Sequence, residues 1–337
     1  MEKKIGVLLI QLGTPDSPSV KDVRKYLFEF LNDERVIDIP AILRKILVNL
    51  IIVPFRAPKS AKIYQELWTP EGSPLLLISE NVKNKLQKIL PDNYTVELAM
   101  RYKNPSMDDV LERMRKANYD KIIIFPLFPQ YASATNGSAV AKAMDIIRKW
   151  WVIPEISMVG QFFDEEGYIN GFVENAKKYN LDEYDHILFS YHGLPERQVD
   201  KVYEDGPCKD HDCDVRLTQE NKLCYKATCF ATTRAIVEKL GIPEEKYTVC
   251  FQSRLDKKWL EPFSDKVVIE QAKKGAKKLL VFSPAFVADC LETIIEIGLE
   301  YQEIFVEHGG EKVQLVESLN ENDLWIETIK KMVVERS

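Results

Sequence analysis

Histidine is scarce in this chain, with four in 337 residues, and one of the four stands where a base would be useful. His192 closes an apolar run, HILFSYH, and is followed at once by Gly193 and, two residues on, by Pro195. A tight turn there projects an imidazole from the carboxyl end of a strand. With a pKa near about 6.5, such a ring can take up a proton at neutral pH. The plain alternative is a histidine hydrogen-bonded within its own turn. His186, at the opposite edge of the run, reads as structural, and His308 in EHGGEK as an exposed turn.

A second group is acidic. Glu292, Glu296 and Glu300 recur every four residues through DCLETIIEIGLEY. On an α-helix they share a face with slow drift, and a locally widened π-type turn aligns them better. A row of carboxylates suits a divalent cation bound through oxygen. Asp289 to Glu292 also has the spacing of a capping box, which would make Glu292 a helix-start residue, and the other two acids could form a solvated stripe. The residues between them are almost all apolar, however, and three acids on so buried a helix need a reason.

The third group is CKDHDCDVRLTQENKLCYKATC, which holds four of the six cysteines as C-x4-C-x10-C-x4-C: Cys208, Cys213, Cys224 and Cys229. Zinc ribbons space each pair by about two to four residues, so a zinc site fits loosely, with His211 a possible substitute ligand. Four reduced, exposed thiols would be liable to oxidation. Cys250 and Cys290 read as singletons, the latter a candidate to line a pocket.

These groups need a scaffold. Buried strands are predicted at 5–10, 94–100, 121–128, 186–192, 247–253 and 278–284, alternating with amphipathic helices such as 106–119 and 265–276. That alternation argues for α/β architecture with parallel sheets covered on both faces. YTVELAMRY followed by DKIIIFPLFPQYASAT is echoed by YTVCFQSRL followed by KKLLVFSPAFVADCLET, and LLIQLGTP by LFSYHGLP. The echo predicts two similar Rossmann-like lobes, with ligands bound beyond the carboxyl ends of the strands and an active-site cleft between the lobes. The expected division is an N-terminal lobe over 1–175, a C-terminal lobe over 176–320 with a cysteine-rich insertion at 204–230, and a closing helix over 321–337. Segment 39–58, IPAILRKILVNLIIVPFRAP, is too charged to span a bilayer. It reads as an amphipathic helix on a membrane surface or at the lip of an apolar pocket, or else as a core helix under its own sheet.

Composition narrows the function classes. Hydrophobic residues make up 45% and charged residues 29%, with a net charge of −6 and no Lys/Arg block, so nucleic-acid binding is disfavoured. The apolar run after MEKK ends at Gly13 after only about eight residues, without a cleavage signature, and reads as a strand. The expected location is the cytoplasm, where a disulfide framework is disfavoured and clustered cysteines point to a metal or to redox chemistry.

Together the motifs match a known pattern. SYHGLP (190–195), FQSRLDKKWLEP (251–262) and SPAFVADCLETIIEI (283–297) carry it, supported by QLGTPDSP (11–18), RAPKSAKIY (56–64), EGSPL (71–75), MRYKNP (100–105) and FPLFPQYASATNGS (125–138). Over nearly its whole length the sequence resembles the ferrochelatases, which insert ferrous iron into a porphyrin to make haem. The resemblance implies that His192 is the catalytic proton acceptor, that Glu292 is its acidic partner, and that both meet the substrate Fe2+. Glu296 and Glu300 fall in the family's π-helical row of acids. Arg101, Tyr102, Tyr131 and Trp259 fall at positions lining the macrocycle pocket, and Arg56, Lys62 and Ser73 are candidates for the propionates. Leu12 resembles the protoporphyrin-using members, coproporphyrin III being the alternative substrate.

The family also implies a cofactor. Many members carry a [2Fe–2S] cluster on four cysteines, and in some bacterial ones all four lie in an insertion like this one. The resemblance therefore implies [2Fe–2S] on Cys208, Cys213, Cys224 and Cys229, with Zn2+ as the alternative. Segment 39–58 would form the pocket lip, with peripheral contact at the inner face of the cytoplasmic membrane. Competing readings are a cobalt or nickel chelatase for another tetrapyrrole, a porphyrin or haem carrier without turnover, and an iron–sulfur redox protein.

Overall fold

Eight strands carry the fold, the inner ones where the sequence is most uniformly apolar. In the computed structural model, which describes residues 3–337, they are β1 (Ile5–Gly13), β2 (Tyr94–Tyr102), β3 (Lys121–Pro126), β4 (Glu155–Met158), β5 (His186–His192), β6 (Tyr247–Gln252), β7 (Lys278–Phe282) and β8 (Lys312–Leu315). They form two four-stranded sheets, ordered β2-β1-β3-β4 and β6-β5-β7-β8, and every pairing is parallel. Strands covered on both faces read as unbroken apolar runs, as β1 and β5 do. The two-lobe α/β architecture is as predicted, and the identical strand order accounts for the sequence echo.

The chain folds into two compact units. One comprises the residues up to Phe128, Ala132–Gln161 and Ile326–Ser337; the other comprises Pro129–Tyr131 and Phe162–Trp325. In the first, Leu8, Ile10, Ile122 and Ile124 of the sheet bury against Val110, Leu111 and Ala139 of flanking helices. In the second, Leu188, Leu279 and Val281 pack with Val268, Ile297 and Phe305. The helix Asp323–Val334 begins in the second unit, where Trp325 packs against Phe162 and Tyr168.

In each sheet the chain leaves the inner strand, β1 or β5, in opposite directions to reach its two neighbours. That creates a switch point beyond the carboxyl end of β1 and of β5, where open α/β sheets bind ligands. His192 is the last residue of β5.

Segment 39–58 is helical from Ala41 onward. Ala41–Ile46 runs into a widened turn, Leu47–Ile52, and on into Val53–Leu67. Val48, Val53 and Ala57 are buried, whereas Ile42, Leu43, Ile46, Leu50, Ile51 and Phe55 are exposed. Arg44 turns inward and donates to the carbonyls of Ile37 and Ile39. Among the described residues no helix is long and apolar enough to cross a membrane.

Candidate active site and cysteine centre

The end of β5 is built to present one nitrogen. His192 Nδ1 lies 2.7 Å from the carbonyl oxygen of Gly193. A carbonyl can only accept, so Nδ1 carries the proton in the neutral ring and Nε2 is the basic nitrogen. The turn is held tightly: Gly193 N–H donates to Gln252 O at 2.7 Å, and Leu260 N–H to Leu194 O at 2.9 Å. A Cβ at Gly193 would lie 2.8 Å from Gln252 O and 3.3 Å from the Trp259 ring, so only glycine fits. Trp259 thus packs against the histidine turn, half-buried. Phe286 lies near the imidazole, with ring centroids 6.4 Å apart.

The acidic row stands on a π-helix, Glu292–Tyr301, the widened turn that brings residues four apart closest to one face. Glu292 is not spent as a cap. Asp289 N–H donates to Asn320 Oδ1 at 2.8 Å, and Cys290 N–H to Thr293 Oγ1 at 3.0 Å. Asp289 itself accepts from Thr293, Ser318 and Asn320, which anchors the start of the helix. Burial, and then the neighbouring Glu292 carboxylate, push the Cys290 thiol well up, so it stays neutral beside that acid.

Glu296 is placed differently. Its carboxylate accepts from the Ser253 hydroxyl, from Ser253 N–H at 2.9 Å, and from Gln252 Nε2 and Tyr301 OH at 3.2 Å. Ser253 adopts φ +61, in the left-handed region, and these bonds hold it there. Burial and the Glu296 charge push the Tyr301 phenol far up, so it remains a donor. Glu300 is exposed at the end of the row.

Gln252 joins the two groups. Buried at the end of β6 and paired in register with His192, it accepts from Ser190 Oγ at 2.7 Å and donates to Glu292 O at 3.2 Å. Gln252, Ser253 and Tyr301 were not singled out from the sequence, and Asp289 only as the start of a capping box. The run FQS, three polar or aromatic residues at a strand end, was the available signal for the first two.

In the other unit, Arg101 and Tyr102 belong to one hydrogen-bonded network. The Arg101 guanidinium pairs with Asp33 and Ser138, and the Tyr102 hydroxyl lies 2.9 Å from Asp33 and 3.2 Å from Ser138. Burial works against the Asp33 charge, but Ser138, the Arg35 amide and Arg101 outweigh it and hold this carboxyl below its usual range. Ser73 is buried, with its hydroxyl 2.9 Å from that of Thr14. Arg56 and Lys62 are exposed on the helix Val53–Leu67, and Leu12 is half-buried at the end of β1. Tyr131, in the second unit, is also half-buried.

Three of the four clustered cysteines come together. The sulfurs of Cys208, Cys213 and Cys224, all buried, lie within 4.8 Å of one another. Cys224 Sγ is 3.4 Å from Cys208 Sγ and 3.7 Å from Cys213 Sγ. Hydrogen bonds from the other two hold the Cys224 thiol well below its usual range, whereas the same crowding pushes Cys208 up. Only a cation lets all three become thiolates at this spacing, so the donor set fits a metal centre. Cys229 does not join the group. It is buried in the helix Tyr225–Leu240, beside Tyr225. His211 stacks on the Tyr203 ring at 3.8 Å with Nε2 3.3 Å from Asp205, and so is not among the grouped ligands. Tyr203 OH lies 2.9 Å from Cys213 Sγ.

Comparison with known proteins places the chain in a family. The ferrochelatase family model matches residues 4–337. A ferrochelatase of Coxiella burnetii (strain Dugway 5J108-111) is 44% identical over 337 residues, covering 98% of this chain and 93% of the relative. One from Legionella pneumophila (strain Lens) is 42% identical over 332 residues, covering 98% and 99%. The fold resembles SirB from Bacillus subtilis, solved with Fe3+, at TM-score 0.56 and 12% identity, covering 99% of this chain and 95% of that one. It also resembles DR2241 from Deinococcus radiodurans, at TM-score 0.54 and 9% identity, covering all of this chain and 56% of that one. On the sequence matches, the chain belongs to the ferrochelatase family: it is a metal chelatase of haem biosynthesis, acting on a porphyrin and ferrous iron.

Proposed function

We propose that this enzyme inserts Fe2+ into protoporphyrin IX, with His192 as proton acceptor and Glu292 as its acidic partner. The observation that carries the assignment is the Nδ1 bond to the Gly193 carbonyl, which leaves Nε2 as the basic nitrogen. Two pyrrole N–H protons must leave as the metal enters. His192 Nε2 takes up the two protons in turn as each leaves the macrocycle, passing each on to solvent, while Glu292 and Glu300 offer hard oxygen donors to the incoming Fe2+. Glu296 is held by four donors and serves chiefly to fix the row. Trp259 and Tyr131 are assigned to the macrocycle, as are Arg101 and Tyr102 through the network they stiffen. Arg56, Lys62 and Ser73 are assigned to the propionates, with the Ser73 hydroxyl 2.9 Å from that of Thr14. Leu12 favours protoporphyrin.

The test is metal-dependent loss of porphyrin fluorescence under anaerobic conditions, run with Fe2+, Co2+ and Ni2+ and with protoporphyrin IX against coproporphyrin III. His192→Ala should lower turnover by about 10² to 10⁴-fold while porphyrin binding stays measurable. Undiminished turnover in that variant removes the assignment, and preference for coproporphyrin III replaces the substrate.

For the cysteine centre we propose a [2Fe–2S] cluster held by Cys208, Cys213 and Cys224, with Cys229 as the fourth ligand and Zn2+ as the alternative. Such a cluster supplies one-electron redox chemistry and a cross-link of its loop. We further propose that the protein is cytoplasmic and meets the membrane peripherally. The apolar residues of 41–55, flanked by exposed Lys45, Arg56 and Lys59, have the composition of an interfacial helix.

A further inference from the structure

One side chain joins the cysteine centre to the histidine turn. Cys224, one of the three grouped sulfurs, caps the helix Tyr225–Leu240, so Tyr225 is the first helical residue. Its ring is buried, and its hydroxyl donates to the carbonyl oxygen of His192 at 2.9 Å. On the other face of the same peptide unit, Gly193 N–H donates to Gln252 O at 2.7 Å. The His192–Gly193 peptide plane is therefore gripped from both sides, by Tyr225 through its oxygen and by Gln252 through its N–H. The imidazole, bonded through Nδ1 to the next carbonyl, turns with that plane.

Tyr225 has little freedom of its own. Thr228 N–H donates to Cys224 O at 3.0 Å, and the Thr228 hydroxyl to Tyr225 O at 3.0 Å. The phenol is a stiff lever with two rotatable bonds, anchored at one end beside a candidate ligand and at the other on the histidine carbonyl. The loop before it has little regular structure beyond short 3-10 turns; Asn221 bonds Arg216 O and Thr218 N–H within it, and Asp200 and Arg234 tie it at Cys208 N–H and Asp214 O. A loop of that kind owes much of its order to whatever its cysteines bind.

We propose that Tyr225 is a positioning residue through which occupancy of the cysteine centre sets the orientation of the His192–Gly193 peptide, and with it the His192 imidazole. The proposal rests on the reading that these cysteines hold a metal centre and that His192 accepts the proton. It makes the centre a support for the proton acceptor without placing it in the reaction.

The test uses the full chain as purified, with iron, zinc and acid-labile sulfide content, visible absorption, amide hydrogen exchange over 190–194, and kcat and KM for porphyrin measured together. Stripping the metal from the native protein should speed exchange at Gly193 and Leu194 by about tenfold or more and lower kcat by about tenfold, with KM within about twofold. Cys213→Ser, which removes a ligand and leaves Tyr225 in place, should behave as the stripped protein does. Tyr225→Phe should keep full metal content and unchanged absorption, yet show the fast exchange and the low kcat already, with little further change on stripping. Native exchange and kcat in a metal-loaded Tyr225→Phe overturn the proposal, as does a stripping effect of equal size in both proteins. Metal content unchanged by Cys213→Ser, or no metal at all, removes the cofactor reading and the coupling with it. Turnover retained in His192→Ala would instead identify the catalytic assignment as the failed step.

Discussion

At the scale of single residues, polar side chains inside apolar surroundings decide the geometry. Asp33 is the clearest case outside the histidine turn, because Arg101, Tyr102, Ser138 and the Arg35 amide all converge on it. Removing the charge leaves a largely buried guanidinium without its partner. Asp33→Asn should therefore cost about 3 kcal/mol of stability, measured by denaturant unfolding at neutral pH. The folded-state pKa lies below the ordinary 3.8, so the native contribution is complete above about pH 4 and is lost as pH falls through the depressed value. The variant should lack this acid-side slope. A matching slope in both proteins would show that Asp33 is not the group responsible. None of this was legible in the sequence, since Asp33, Arg101 and Ser138 lie far apart in the chain and no local period links them. His192 and Glu292 were legible because each sits inside a short run whose pattern announces a strand end or a helix face.

At the scale of elements, six of the eight strands and their parallel order could be read from apolar runs and internal echo, whereas β4 and β8, four residues each and mostly not buried, left no such run. The acids four residues apart called for a wider turn, and Glu292–Tyr301 supplies one. What periodicity could not give was the division of labour along that helix. The Ser253 backbone, in a left-handed conformation at the end of β6, is what occupies Glu296, and a turn of that kind leaves no repeating signal. The same holds for the cysteines: spacing offered four candidate ligands without order, and the fold brings the sulfurs of Cys208, Cys213 and Cys224 together while Cys229 is buried in the helix Tyr225–Leu240. The tight loop after β5 lends itself to a direct test. Gly193→Ala places a methyl against Gln252 O and the Trp259 ring, so the turn must shift. A displacement on the order of 1 Å at a proton acceptor should lower kcat by about 100-fold, with porphyrin binding less affected. A kcat within about twofold of native would mean that the turn can absorb the methyl.

At the scale of the whole molecule, two sheets with one strand order carry different endings. β1 ends in Gln11, Leu12 and Gly13, and β5 in Ser190, Tyr191 and His192. The repeated scaffold leaves the basic side chain on one copy only. The largest run of exposed apolar side chains on a helix is 41–55, and its chemistry suits a lipid surface. Phe55→Asp should lower binding to vesicles of about 30% anionic lipid several-fold, read by sedimentation, while Tm changes by less than about 2 °C, because Phe55 is 74% exposed. Equal sedimentation of the two proteins would direct that face to another role. The sequence showed the segment to be amphipathic but left open whether its apolar face turned inward, because helical period alone does not say which side meets the sheet.

Gln252 has one further consequence. Its amide oxygen takes a proton donor from Ser190, and its nitrogen gives one to the Glu292 carbonyl and another to Glu296. The position demands a side chain that is acceptor on one edge and donor on the other, at fixed length. Glutamate matches the length yet would set a second carboxylate against Glu296, so one of the two would have to stay protonated. The most conservative replacement by shape is thus the most disruptive by charge.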